Sequence, residues 1–134
     1  MQALTFFEDI DADLVREIDR ISSVRSFKAG DTIFTKGNTA EHLFILEQGE
    51  IDLLMQSKND TRFNLNRTGD VFGWSSLVEN GVYTSTATCQ SDASIRCIPK
   101  SDMDPIFEKN SRAAVRIYRK IGDIFSKRMA GVTD

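Results

Sequence analysis

The sequence predicts an α+β fold, helical at both ends and rich in short strands between. Three observations carry this. Ile10, Leu14, Ile18 and Ile21 recur at helical spacing near the start. From Phe27 onward, β-type runs alternate with glycine turns. Beyond about residue 100 an apolar stripe at helical spacing returns.

The first element is an amphipathic helix expected from about Asp11 to Ser23, with Asp11 as its cap. The β-section, about 25–100, comprises "DTIFTKGN", "HLFILEQGEIDLLMQ", "TRFNLNRTGD", "YTSTATCQ" and "SIRCIPK". "EQGE" and "RTGD" are turn signals, because glycine takes positive φ at little steric cost. Strands this short and this dense point to a barrel, roll or sandwich. "AGDTIF" at Ala29–Phe34 is echoed by "TGDVFG" at Thr68–Gly73. Gly-Asp turns are common, but here each feeds an apolar pair, which favours two related halves of one roll. The end, about 101–130, reads as two helices. Ser101 and Asp104 look like a weak capping pair, with Pro105 near a helix start. The second helix opens at Asn110-Ser111. It places Ala114, Ile117, Tyr118, Ile121, Ile124, Phe125 and Arg128 on one face, with Arg112, Arg116, Arg119, Lys120 and Lys127 around the rest.

Composition bounds what such a chain can do. At 134 residues it makes one domain, spanning 1–134, with a core that needs no staples. No apolar run is long enough to span a bilayer, and the acidic start "MQALTFFEDIDADL" is unlike a secretion signal. Two cysteines suit a reducing compartment, so a cytoplasmic location and no membrane partner are expected. The net charge of -3 argues against nucleic-acid binding by the chain as a whole. The charge is uneven: residues 1–99 carry 9 bases and 15 acids, whereas residues 100–134 carry 8 bases and 5 acids. A basic stripe could meet DNA or an acidic partner, but it is more often a solvated flank beside an apolar seam.

Catalytic and metal motifs are missing. There is no nucleophile elbow and no HExxH. Asp9, Asp11 and Asp13 alternate without the rest of a calcium loop, which suits a solvated helix entrance. His42, the single histidine, reads as an exposed loop residue. Cys89 and Cys97 are separated by a turn near Ser91–Asp92 and match no zinc spacing, so both read as small buried residues. No catalytic residue and no metal ligand is assigned, and the chain is not expected to be an enzyme.

The order of elements, helix, Gly-punctuated β-section and two helices, resembles the cyclic-nucleotide-binding domain of the catabolite activator protein and fumarate-nitrate regulator-like effector domains. "FKAGDTIFTKGNTAEHLFILEQGEIDLL", with Gly30, Gly37 and Gly49, resembles the first half of that domain. "RTGDVFGWSSLVENGVYTSTATC" resembles its phosphate-binding cassette, and "VRIYRKIGDIFSKRM" its dimer helix. The resemblance covers nearly the whole chain. It implies a double-stranded β-helix, that is, a jelly-roll-like β-roll, with an N-terminal helix and two C-terminal helices.

The resemblance also implies a ligand site at Phe72, Gly73, Trp74, Ser75, Ser76, Leu77, Thr84, Ser85 and Thr86, with Tyr118 as a possible lid. The cassette departs from the family pattern in two places. Where the family has a ribose-binding glutamate, this chain has Trp74, which donates one hydrogen bond and accepts none. Where the family has a phosphate-binding arginine, it has Thr84. Losing one partner of a buried charge pair costs roughly 2–5 kcal/mol, about tens- to thousands-fold in affinity. The nearest bases in sequence, Arg67 and Arg96, lie outside the cassette. Hydroxyls and the backbone of a short helix near Trp74 remain. Trp74 either stacks on a planar ligand or fills the old ribose site.

Two functions follow as expectations. One is a stand-alone regulatory sensor that binds a cyclic nucleotide or another small effector in the roll. It would signal through a homodimer helix formed by Ala114, Ile117, Ile121, Ile124 and Phe125. The other is a degenerate module that binds no nucleotide and acts as a dimeric scaffold for a protein partner. The family's DNA-reading helix-turn-helix would follow Met129, where only "AGVTD" remains, so direct DNA binding is not expected.

Overall fold

In the computed structural model, residues 2–56, 59–78 and 80–130 are described. Glu79 of the cassette stretch and the final four residues, 131–134, lie outside that set. A short 3-10 helix, Gln2–Phe7, precedes α1, Ala12–Ile21. Asp11 caps α1 by accepting from the Asp13 amide at 3.2 Å. The helix ends before the expected Ser23. Ser22 turns extended and its Oγ donates to the Asp19 carbonyl at 2.8 Å. Ser23 already begins β1, Ser23–Phe27, a strand the sequence reading missed because "SVRSF" is mostly exposed and alternates weakly.

The roll continues through β2 (Thr32–Phe34), β3 (His42–Gln48), β4 (Ile51–Met55) and β5 (Thr61–Leu65). It closes with β6 (Val71–Phe72), β7 (Thr86–Cys89) and β8 (Ala93–Pro99). Two antiparallel four-stranded sheets form, in the orders β1-β8-β3-β6 and β2-β7-β4-β5. This is the jelly-roll arrangement expected. The echoed Gly-Asp turns share one geometry. Asp31 Oδ2 accepts from the Lys28 amide at 2.9 Å, and Asp70 Oδ2 from the Arg67 amide at 3.1 Å. Gly30 and Gly69 sit at φ of 91° and 99°, and each donates its amide to the strand beside it.

The C-terminal helices are α2, Lys100–Lys109, and α3, Ser111–Met129. Pro105 lies inside α2, not near its start, and no side chain caps the helix, because β8 runs into α2 without a loop. Asp104 instead pairs with Lys100 at 3.2 Å. Asn110 sits at the entrance of α3, yet its Nδ2 donates back to the Ile106 carbonyl at 2.7 Å and closes α2. Among the described residues no helix is long and apolar enough to cross a membrane.

The sheet carrying β3 divides two cores. Phe44, Leu46, Phe72, Ile95 and Cys97 face the roll interior. Leu43, Ile45, Val71 and Ile98 face the other way, against Phe6, Phe7, Ile18, Met103, Phe107 and Ile117 of the helices. Both cysteines are buried, and burial pushes their thiols up. His42 is not a loop residue. It opens β3, half-buried, with its ring 5.9 Å from that of Phe44.

Arg96 ties the N-terminal helix to the sheet. Its side chain is buried, with Nε on Glu47 at 2.8 Å and Nη1 on Asp19 at 3.0 Å and Ser22 Oγ at 2.6 Å. Breaking a buried pair typically costs 3–5 kcal/mol. Both carboxylates here are partly solvated, so Arg96→Ala is expected to lower unfolding free energy by about 2–3 kcal/mol in urea titrations. A loss below about 0.5 kcal/mol would show that the network contributes no more than a surface pair.

His42 generates a pH dependence. Burial, aided by Arg25 and opposed by Glu41, lowers its pKa from the ordinary 6.5. The unfolded chain therefore binds the proton more readily, and stability falls as pH drops through and below that ordinary value. Urea midpoints near pH 7.5 and 5.5 should diverge more for the parent than for His42→Gln; equal divergence refutes this.

Candidate functional site

The site grows from the second Gly-Asp turn. β6 delivers Phe72, and Gly73 then takes φ of 75° and starts the short 3-10 turn Trp74–Leu77. A Cβ on Gly73 would stand 2.8 Å from the Phe44 ring, so the position has no room for a side chain. Ser76 is fully buried and its Oγ donates to the Gly73 carbonyl at 3.0 Å. Lys100 Nζ donates to the carbonyls of Ser76 and Val78 at 2.9 and 3.3 Å, pinning the end of the turn. On the return, a Cβ on Gly81 would collide with the Ser75 carbonyl. Tyr83 then stacks on Phe34, ring centroids 3.9 Å apart. Its hydroxyl accepts from the His42 amide at 3.2 Å and donates to the His42 carbonyl at 3.0 Å.

These elements enclose a cavity of about 40 Å³. Its floor is apolar and aromatic, with Phe34, Leu53, Met55, Phe63, Phe72 and Tyr83. Its cassette wall is Gly73, Trp74, Ser75, Thr84 and Ser85. Its third wall is the last turn of α3, with Phe125, Arg128 and Met129. Small-ligand sites usually run to about 300–1,000 Å³. This one has room for waters, well short of that range.

The closure is made by α3. Phe125 meets the Trp74 ring edge-on, centroids 6.3 Å apart. The Arg128 guanidinium lies 4.9 Å from the centre of that ring, and its Nη2 donates to the Val71 carbonyl at 2.9 Å. Burial lowers the Arg128 pKa, with Asp70 acting in the opposite direction. Gly122, one turn earlier on the exposed side of α3, has open space where a side chain would stand.

Six of the expected ligand residues, Phe72, Gly73, Trp74, Ser75, Thr84 and Ser85, come together around the cavity. Three do not. Ser76 is turned inward, Leu77 packs toward the helices, and Thr86 Oγ1 accepts from the Lys36 amide at 3.0 Å. Tyr118, the expected lid, does not line the cavity either. It is 46% exposed, with its hydroxyl 3.4 Å from the Leu77 carbonyl, and the wall is formed by the following turns of the same helix. Trp74 lines the cavity under α3, while the aromatic stack of Phe34, Phe44, Phe72 and Tyr83 fills the roll. Arg67 and Arg96 stay away from the cavity. Arg67 borders an outer groove and Arg96 is held by Glu47 and Asp19.

The expected dimer face needs correction. Ala114, Ile117 and Ile121 are buried in the chain's own second core, and Ile124 is half-buried against it. Only Phe125 of that set is exposed, at 43%. The sequence reading missed Arg128 and Met129 as cavity residues, as well as Tyr83. The one available signal was the place of Arg128 on the apolar face of α3. Among the described residues no group of three or more His, Cys, Asp or Glu could hold a metal ion.

Known proteins share this fold. The family model described as the cyclic nucleotide-binding domain matches residues 24–110. A putative cyclic nucleotide-binding protein from Geobacter metallireducens superposes with a TM-score of 0.82 at 24% identity, over 93% of this chain and 92% of that one. A regulatory subunit of a cAMP-independent protein kinase A from Trypanosoma brucei, solved as a triple mutant bound to cAMP, gives 0.67 at 17% identity, over 84% and 44%. Glutaminase 1 of Bradyrhizobium diazoefficiens is 27% identical over 124 residues, 91% of this chain and 19% of its own length. The chain spans about a fifth or less of the curated relatives it matches. On the matched residues and the fold together, the chain belongs to the cyclic nucleotide-binding domain family.

Proposed function

We propose that the chain is a regulatory sensor module that takes a small effector between the β-roll and the last turn of α3. The observation that carries this is the shared wall: Phe125, Arg128 and Met129 line the same cavity as the cassette. Any occupant larger than the present free space has to displace them. Binding then favours a second position of α3, which is how an effector can act at all. Effector and family tradition diverge on chemistry. With Trp74 and Thr84 in the cassette, ordinary tight binding of cyclic AMP is not expected. The Trypanosoma neighbour, a regulatory subunit of a kinase described as cAMP-independent, supports a member of this fold that does not answer to cyclic AMP.

The readout proposed is a homodimer. Val115, Tyr118, Gly122, Phe125 and Met129 are spaced 3, 4, 3 and 4 apart, the repeat of a coiled-coil seam. The four large residues of this series are each more than 40% exposed. Phe125 and Met129 belong both to this seam and to the cavity wall, so occupancy and dimer contact share side chains.

A second reading is favoured by the small cavity and the stacked aromatic floor: a closed module that serves as a dimeric scaffold. Thermal unfolding with millimolar cyclic AMP, cyclic GMP and a panel of small planar acids separates the two. A ligand at about a hundred times its Kd stabilises by roughly 2.7 kcal/mol, which raises Tm by several degrees. The sensor reading expects a shift with a non-nucleotide ligand and little with either cyclic nucleotide. No shift with any compound favours the scaffold. Separately, Trp74→Glu with Thr84→Arg is expected to raise cyclic AMP affinity by at least about tenfold. A folded double variant with no gain refutes the alignment of the cassette.

A further inference from the structure

We propose that Arg128 is the anion-binding residue of this cavity, and that the ligand it takes is a small planar aromatic monocarboxylate. The proposal rests on the effector reading above and narrows it to a chemical class. The cassette offers no cation of its own, only the hydroxyls of Ser75, Thr84 and Ser85. The charge comes instead from α3. Arg128 lines the cavity, spends one donor on the Val71 carbonyl and lays its guanidinium face against Trp74. Among the described residues it forms no ion pair, although Asp70 is close enough to act on it. A guanidinium carries five N–H donors, and its fork matches a carboxylate in two parallel hydrogen bonds. Asp70 compensates this partly desolvated charge only from beyond ion-pair distance, and an anion in the cavity offsets the remaining cost.

The rest of the lining selects the body of the ligand. Phe34, Phe63, Phe72, Tyr83 and Trp74 line the cavity with aromatic rings, which suit a planar ring better than a sugar. No Asp or Glu is among the described residues of the lining, so nothing charged accepts from ribose hydroxyls. A ring the size of benzoate also displaces far less of α3 than a nucleotide does. The carboxylate draws Arg128 from Trp74 and Val71, and that rearrangement is the event the helix reports.

Trp74 is the only tryptophan of the chain, so its fluorescence reads the site directly. It is excited at the red edge of its absorption, where benzoate is transparent. Titration of the intact chain with benzoate should give a saturable change. Benzamide, the neutral counterpart, and cyclohexanecarboxylate, the non-planar one, should each bind at least about tenfold more weakly. Arg128→Gln should erase the preference for benzoate over benzamide, and Arg128→Lys should keep part of it, with both variants checked for a cooperative unfolding transition. Equal binding of benzoate and benzamide by the parent, or undiminished benzoate binding by folded Arg128→Gln, overturns the proposal. Binding of cyclic AMP without benzoate overturns the ligand class while the sensor reading stands. No response to any of these compounds also overturns the ligand class, and the wider thermal screen then decides separately between sensor and scaffold.

Discussion

The arrangement hangs on one strand that is buried on both faces. Along β3, Leu43 and Ile45 enter the helical core while Phe44 and Leu46 enter the roll. Side chains alternate with a period of two, so a slip of one residue would exchange the two sets. Phe44 and Leu46 pack into the roll core, where Phe44 stacks on the cavity residues Phe34 and Phe72; Leu43 and Ile45 pack against the helical core. Pairing on both sides fixes the register: β8 aligns Phe44 with Cys97, and β6 aligns Phe44 with Phe72. Fully burying each such large apolar side chain contributes roughly 1.5–3 kcal/mol. The cavity is therefore a by-product of a partition that the fold needs for other reasons.

Local chemistry made much of this readable from sequence. Gly-Asp turns with a glycine at positive φ announce where strands begin, and Asp11 announces where α1 begins. The apolar period of α3 was plain as well. What stayed hidden were matters decided by contacts far away along the chain. "SVRSF" becomes a strand because β8 offers it a free edge, not because of its own pattern. Ala114, Ile117 and Ile121 look like any coiled-coil seam until the helical core claims them. Arg128 reaches Val71 across 57 positions, a meeting no window of sequence contains. Pro105 misled because the junction of β8 and α2 needs no loop.

The cassette shows how one scaffold changes its chemistry. The turn keeps its backbone form, since Gly73 and Gly81 are demanded by the packing of Phe44 and Ser75 whatever the ligand. The side chains that name a ligand are free to vary on that frame. In this chain the cassette wall carries the indole of Trp74 and the hydroxyl of Thr84. The cation beside the cavity, Arg128, stands on α3 and not in the cassette.

Gly122 has a consequence for time. The anchoring residues Ile117 and Ile121 precede it, and the covering residues Phe125, Arg128 and Met129 follow it. Glycine in a helix interior costs about 0.8–1.0 kcal/mol relative to alanine. The final turns can thus unwind while the anchored turns stay seated. Helix–coil exchange runs at roughly 0.1–1 μs, ahead of collective domain motion at μs–ms. For the effector proposed above, entry to the cavity would then be gated by the breathing of a helix end, without the domain coming apart.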